Sequence, residues 1–234
     1  MSTARTDLRI LNGMRTQLEL RKARLDAGAK PIGWKVGFGT PAAMKNLGTD
    51  APVIGFLTDT VLLPSESIVG IAEWTRPAFE PEIAVYMGAD LAADADRETA
   101  RAAIAAIGPA IELADVRFAP EDVTAVLADN VFNRHVILGR KDTSRAGCAL
   151  DGVVGHVFKN GEEIAVVDNP QAATGDLIDI VRHVADVLEV LGERLREGEL
   201  IITGSIIPAI ILAGGEEIRY TLDPIDTLSV TIGE

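Results

Sequence analysis

The sequence predicts an α+β fold built on a largely antiparallel or mixed sheet. Strand-like runs dominate the second half, without the regular helical crossovers that a doubly wound parallel sheet needs. Asn160-Gly161, between the runs at residues 153–158 and 163–167, marks a two-residue hairpin. The strongest helix spans residues 176–196, where Leu177, Ile180, Val181, Val184, Leu188, Leu191 and Leu195 form one apolar stripe.

The other elements follow in order. Leu8, Leu11, Met14, Leu18 and Leu25 recur at helical spacing among charged residues, so residues 5–27 read as an N-terminal helical extension that Gly28 ends. Residues 32–39 alternate, with Ile32, Trp34, Val36 and Phe38 on one face and Gly33, Lys35, Gly37 and Gly39 on the other. Thr40-Pro41 opens a short helix that stops near Leu47-Gly48, and residues 52–59 continue as strand or loop. Residues 94–107 have a helical composition, broken at Gly108-Pro109. A further short helix is expected at 120–127, a turn at Asp129-Asn130, a strand at 134–139 and another at 200–205. Two strands around Asp223-Pro224 close the chain. No repeat or flexible linker divides residues 1–234, which read as a single catalytic domain.

Composition narrows the function. The 234 residues suffice for a sizeable core, and with 47% hydrophobic but only 4% aromatic content that core must be aliphatic. A formal net charge of -13 disfavours nucleic acid and anionic membranes as partners. A single cysteine, Cys148, excludes a disulfide framework and a cysteine-rich zinc site. The first 26 residues are charged throughout, unlike a signal peptide or a membrane span, so the cytoplasm is the default location. His135, His156 and His183 lack metal-ligand spacing and read as structural. There is no nucleophile elbow, Walker loop or dinucleotide fingerprint.

The chemistry concentrates in residues 79–87. Glu80 and Glu82 project from one face of a strand-like run, while Pro81, Ile83, Val85 and Met87 line the other. Adjacent like charges repel unless a cation lies between them. A third carboxylate, Glu112, sits in a similar apolar run. If the three converge, an all-oxygen set selects Mg2+ or Mn2+ over Zn2+. The alternative is a solvated edge strand, which Pro81 would suit. Lys35 alone clothes a glycine-cleared face, which indicates either a close approach of backbone or ligand, or a lysine facing solvent. With few packing partners expected, Lys35→Ala should cost no more than a surface change of about 0.5 kcal/mol.

Several motifs, taken in order, carry a resemblance. They are Gly33-Trp34-Lys35-Val36-Gly37, Leu47-Gly48, Pro52-Val53-Ile54-Gly55, Glu80-Pro81-Glu82, Ala110-Ile111-Glu112-Leu113-Ala114-Asp115, Asp129-Asn130 and Leu200-Ile201-Ile202-Thr203-Gly204-Ser205. Together they resemble the 2-keto-4-pentenoate hydratase and 4-oxalocrotonate decarboxylase family of the fumarylacetoacetate hydrolase superfamily. Its members usually carry a longer segment before the first helix. The resemblance implies a mixed β-roll of the fumarylacetoacetate hydrolase C-terminal type with flanking helices. It also implies Glu80, Glu82 and Glu112 as ligands of Mg2+ or Mn2+, a catalytic Lys35, and Thr203, Gly204 and Ser205 against the substrate carboxylate; desolvation and the neighbouring metal charge are expected to lower the Lys35 pKa.

The implied substrate is a small 2-oxo acid of aromatic-compound catabolism, handled by a homo-oligomer that could join a pathway partner enzyme. Hydrolysis ranks third, because the hydrolase branch expects a His and Glu pair near the start and no histidine precedes His135. Hydratases often carry an acid where this chain has Val53, which favours decarboxylation if Val53 reaches the substrate. Asp59 could instead supply the acid, and hydration of 2-hydroxypenta-2,4-dienoate is placed first. The remaining alternative is an idle homologue serving as a scaffold.

Overall fold

The computed structural model describes residues 6–233. Residue 5, the expected start of the first helix, lies outside them. Two mixed sheets form the framework. The larger uses β1 (Pro31–Gly37), β2 (Val53–Thr58), β3 (Leu62–Leu63), β5 (Pro77–Met87), β6 (Ile104–Asp115), β7 (Asn133–Leu138), β10 (Leu200–Ser205) and β11 (Ile210–Ile211). Its order is β2-β1-β10-β5-β6-β7-β3, with β11 also paired to β5. The smaller runs β4 (Ser67–Gly70), β13 (Asp226–Gly233), β12 (Glu217–Asp223), β8 (Val154–Lys159), β9 (Glu162–Val167). Parallel pairs β1 with β10, β3 with β7 and β4 with β13 sit among antiparallel ones, as a mixed β-roll requires.

The larger sheet curls. Leu57 of β2 and Val136 of β7 belong to one buried cluster with Ala84, Ala110, Leu200 and Ile202, although four strands separate them in the sheet order. That concave face also carries the candidate site. The opposite face feeds the main core, where Trp34, Phe56, Phe79 and Ile83 are wholly buried. Each such side chain contributes roughly 1.5–3 kcal/mol of burial.

Glycines allow the close approaches of this roll. A Cβ on Gly33 (φ 147°) would stand 1.9 Å from the Leu200 carbonyl oxygen, so β1 and β10 pair closely only because the side chain is missing. One at Gly55 would meet Lys35 Cγ at 2.9 Å. The bare face is therefore cleared for backbone and for the lysine stem.

Helices close the outside. α1 (Leu8–Asp26) starts at Asp7, whose carboxylate accepts from the Arg9 amide. It packs on α4 (Val123–Ala128), where a Cβ on Gly13 would meet Leu127 Cβ at 2.8 Å. Buried Gln17 donates to the carbonyls of Ile54 at 3.0 Å and Leu127 at 2.9 Å, tying this helix to both elements. α2 (Pro41–Leu47) has its Thr40 cap and left-handed Gly48, as its sequence predicts.

Two expectations need correction. The helix expected at 94–107 is only α3 (Arg97–Ala102), and Ile104–Ile107 belong to β6, which runs straight through Gly108-Pro109. Pairing with β5 buries this alanine-rich segment on both faces and overrides its helical composition. The long helix is α6 (Leu177–Val190), which ends six residues before the expected end at residue 196. Gly192 turns the chain at φ 76°, and Leu195 is buried through a bridge to Leu91 rather than on the helix. Asn160 (φ 53°) and Gly161 (φ 82°) form the expected hairpin turn between β8 and β9. A short helix, α5 (Gln171–Thr174), precedes α6.

Candidate active site and metal centre

β5 is a central strand between β10 and β6, so the solvated-edge alternative for its glutamates fails. Glu80 and Glu82 share its concave face, and Glu112 of β6 stands directly opposite Glu80 in the register. One oxygen from each of the three lies within 4.8 Å of the others. A hard six-coordinate cation spans such a set with small side-chain adjustment, since oxygens across a Mg2+ ion are about 4 Å apart.

Lys35 reaches the group from β1 through the pairings β1–β10 and β10–β5. Its ammonium donates to Glu112 Oε1 and, at 3.0 Å, to the Val131 carbonyl. Asn133 Nδ2 donates to the same Glu112 oxygen at 2.8 Å. Glu112 Oε2 is buried and has no partner. A buried carboxylate oxygen without a donor suits a cation ligand, and the all-oxygen donor set suits Mg2+ or Mn2+.

Electrostatics point the same way. Burial pushes the Glu80 carboxyl up to about 7, with Glu112 adding and Lys35 opposing. Burial also raises Glu82, helped by Glu112 and Glu80, against Lys35 and the Gly204 amide, which donates to Glu82 Oε2 at 2.7 Å. The expected lowering of Lys35 is reversed among the protein's own groups. Burial is the largest single effect and lowers it, but Glu112, Glu80 and Glu82 together outweigh burial and raise it. At 2% exposure the lysine is also no surface residue, so the small stability cost expected for its removal does not stand.

A cavity of about 480 Å³ opens beside the group. Lys35, Glu80, Thr203, Gly204 and Ser205 line its floor, and Phe38, Val116, Phe132 and Ile207 supply apolar walls. The Thr203 hydroxyl is committed to the Ile83 carbonyl at 3.0 Å, whereas the buried Ser205 Oγ has no partner. Val53 does not line the cavity: it pairs with Gly37 and packs into the main core. Asp59 does not line it either. That residue sits at the far end of β2, where its carboxylate accepts from the Lys30 amide at 2.8 Å.

Sequence reasoning placed a turn at Asp129-Asn130 but missed that it supports the lysine. Asn130, Val131 and Phe132 all have positive φ (52°, 52° and 65°), a strained run for a β-branched residue. The Asn130 amide holds it by accepting from the Phe56 N–H at 2.8 Å and donating to the Phe56 carbonyl at 2.9 Å. This turn presents the Val131 carbonyl to Lys35 and the Phe132 ring to the cavity. Asp129-Asn130 signalled a turn, but nothing local marked its partner on β2. The histidines lie outside the cavity lining: His135 stacks on Trp74, His156 contacts Glu163, and His183 meets the Pro52 carbonyl.

The family model for the fumarylacetoacetate (FAA) hydrolase C-terminal region matches residues 34–234. The chain belongs to that family. Among curated FAA hydrolase relatives, 4-oxalocrotonate decarboxylase of Pseudomonas putida is 28% identical over 216 residues, 91% of this chain and 81% of its own. The 2-keto-4-pentenoate hydratase 2 of Dechloromonas aromatica (strain RCB) is 27% identical over 221 residues, 89% of this chain and 80% of its own. The solved 4-oxalocrotonate decarboxylase from Pseudomonas putida G7, complexed with magnesium and adipate, superposes with a TM-score of 0.85 at 28% identity. That match covers 92% of this chain and 83% of the other. The homologues are thus enzymes of both names, and a solved neighbour holds a divalent cation. No helix among the described residues is long and apolar enough to cross a membrane.

Proposed function

We propose that this FAA hydrolase family member is a metal-dependent lyase of short unsaturated 2-oxo acids, with hydration of a 2-hydroxydienoate as its reaction. Glu80, Glu82 and Glu112 hold one Mg2+ or Mn2+ ion. The observation that carries this reading is the unpartnered, buried Glu112 oxygen within a three-carboxylate cluster whose Glu80 lines a cavity. When bound, such an ion lowers the cost of negative charge at the 2-oxo oxygen.

The remaining groups do the binding and proton work. Ser205, whose buried hydroxyl has no partner, and Lys35 line the cavity that a substrate carboxylate would enter. Lys35, hydrogen-bonded to Glu112 and lining the cavity, is the group placed to move a proton during ketonisation of the dienol. Phe38 and Phe132 exclude bulk water from the carbon chain. Decarboxylation is the second reading, favoured by these apolar walls. Val53 lies in the core and Asp59 at the Lys30 amide, so neither residue separates decarboxylation from hydration. We assign the activity to one catalytic domain, residues 1–234, in a cytoplasmic homo-oligomer.

The test offers 2-hydroxypenta-2,4-dienoate and 2-oxohex-3-enedioate to the Mg2+-supplemented protein. Formation of 4-hydroxy-2-oxopentanoate from the first, with no CO2 from the second, is the expected result. CO2 release from the diacid with the five-carbon dienol left unhydrated would reverse the two readings.

A further inference from the structure

The two oxygens of Glu112 have different surroundings. Oε1 accepts from Lys35 and, at 2.8 Å, from Asn133 Nδ2, while Oε2 is buried without a partner. Glu82 is held in a similar way, since its Oε2 accepts from the Gly204 N–H at 2.7 Å. Each of these carboxylates thus has one oxygen taken by a donor of the protein itself, which leaves the other for an ion.

Of the two donors on Glu112, Asn133 is the rigid one. The Lys35 ammonium ends a flexible stem and can follow a carboxylate that turns. Asn133 is a short planar amide on β7, only 6% exposed, and the strand is bent to aim it. Along β6 and β7, Glu112 faces Val136 and Leu113 faces His135; the register then shifts so that Ala114 faces Asn133, with Arg134 left over. Three residues apart on a regular strand, Asn133 and Val136 would point to opposite faces. The bulge returns Asn133 to the face that Glu112 and Val136 share, a re-aiming that bulges provide beside active sites. Because Lys35 already donates to Glu112 Oε1, that oxygen is an acceptor, and the amide must turn its NH2 group toward it. Asn133 Oδ1 is then left buried with no partner among the described residues, which is destabilising. A leucine of similar shape would avoid that loss, so packing does not account for an amide here.

Resting on the three-glutamate metal centre, we infer that Asn133 is a positioning residue that confines Glu112 to one-oxygen coordination and thereby sets the centre's preference for Mg2+ over Ca2+. One oxygen from each carboxylate suits a small ion that demands near-octahedral geometry. Calcium gathers roughly six to eight oxygens and gains from carboxylates free to offer both of theirs.

Calorimetric titration of Mg2+ and, separately, of Ca2+ into the chelator-treated full chain measures the ratio of the two affinities. In the wild type Mg2+ should bind more tightly. Asn133→Leu, which keeps the shape but not the donor, should lower the Mg2+-to-Ca2+ affinity ratio roughly tenfold or more, mainly through weaker Mg2+ binding. Asn133→Ala should do the same, and it carries the test if the leucine does not fit; melting temperatures without metal show which variants fold. A packing role would weaken both ions together and leave the ratio in place. An unchanged ratio in a folded variant, or a wild type without a preference for Mg2+, overturns the inference and leaves the three-glutamate centre standing. If neither ion binds the wild type, the centre falls and the inference with it.

Discussion

Lys35 is buried against Glu112, and removing either charge leaves the other without its counterion in a low-dielectric site. Lys35→Ala should therefore cost about 3–5 kcal/mol, read as a lower denaturation midpoint in urea at unchanged slope. A loss within the range of a surface change would mean that Glu112 finds another partner. The sequence made Lys35 conspicuous by clearing its strand face, but the identity of its partner was not legible. Glu112 lies 77 positions away, and the two meet only because β10 and β5 intervene between β1 and β6. Val53 and Asp59 failed for a related reason. Proximity along the chain to a motif does not say which end of a strand, or which side of a sheet, a residue occupies.

Elements whose signals are local were legible. The Thr40-Pro41 helix start, the Asn160-Gly161 hairpin and the alternation of Glu80 with Glu82 each need only a few adjacent residues. Elements decided by partners were not. Ile104–Ile107 became strand because β5 buries both its faces, and the stripe of α6 overran because Leu195 is apolar for a β-bridge rather than for the helix. The β1–β10 pairing gives a test at this scale. Gly33→Ala places a methyl within 1.9 Å of a backbone oxygen at a φ of 147°, so the strands must separate. We expect a loss of several kcal/mol, beyond the ordinary ~1 kcal/mol of a point mutation, together with weakened metal binding as Lys35 shifts. A variant as stable as the wild type would show that the close approach is not maintained in solution.

Across the whole molecule the acidic cluster couples stability to pH and to metal. In the unfolded chain Glu80 loses its proton near its ordinary 4.5, in the folded protein only near 7. Between those values the folded state holds more protons than the unfolded one, so this group's contribution falls as pH rises. Glu82 shifts in the same direction. Chelator-treated Glu80→Gln should accordingly match the wild type near pH 4.5 and exceed it in melting temperature by pH 8. A gap that stays constant with pH would contradict the raised carboxyl. A divalent ion competes with the same protons, so its affinity should climb as pH rises through about 7. The most direct measurement is calorimetric titration of Mg2+ or Mn2+ into chelator-treated protein at pH 8, run on the wild type and on folded Glu82→Gln. We predict one ion per chain, a rise in melting temperature worth about 2.7 kcal/mol at a hundredfold excess over Kd, and loss of both in the variant. An absent thermal shift at millimolar metal, or unchanged affinity in Glu82→Gln, would contradict the three-glutamate centre.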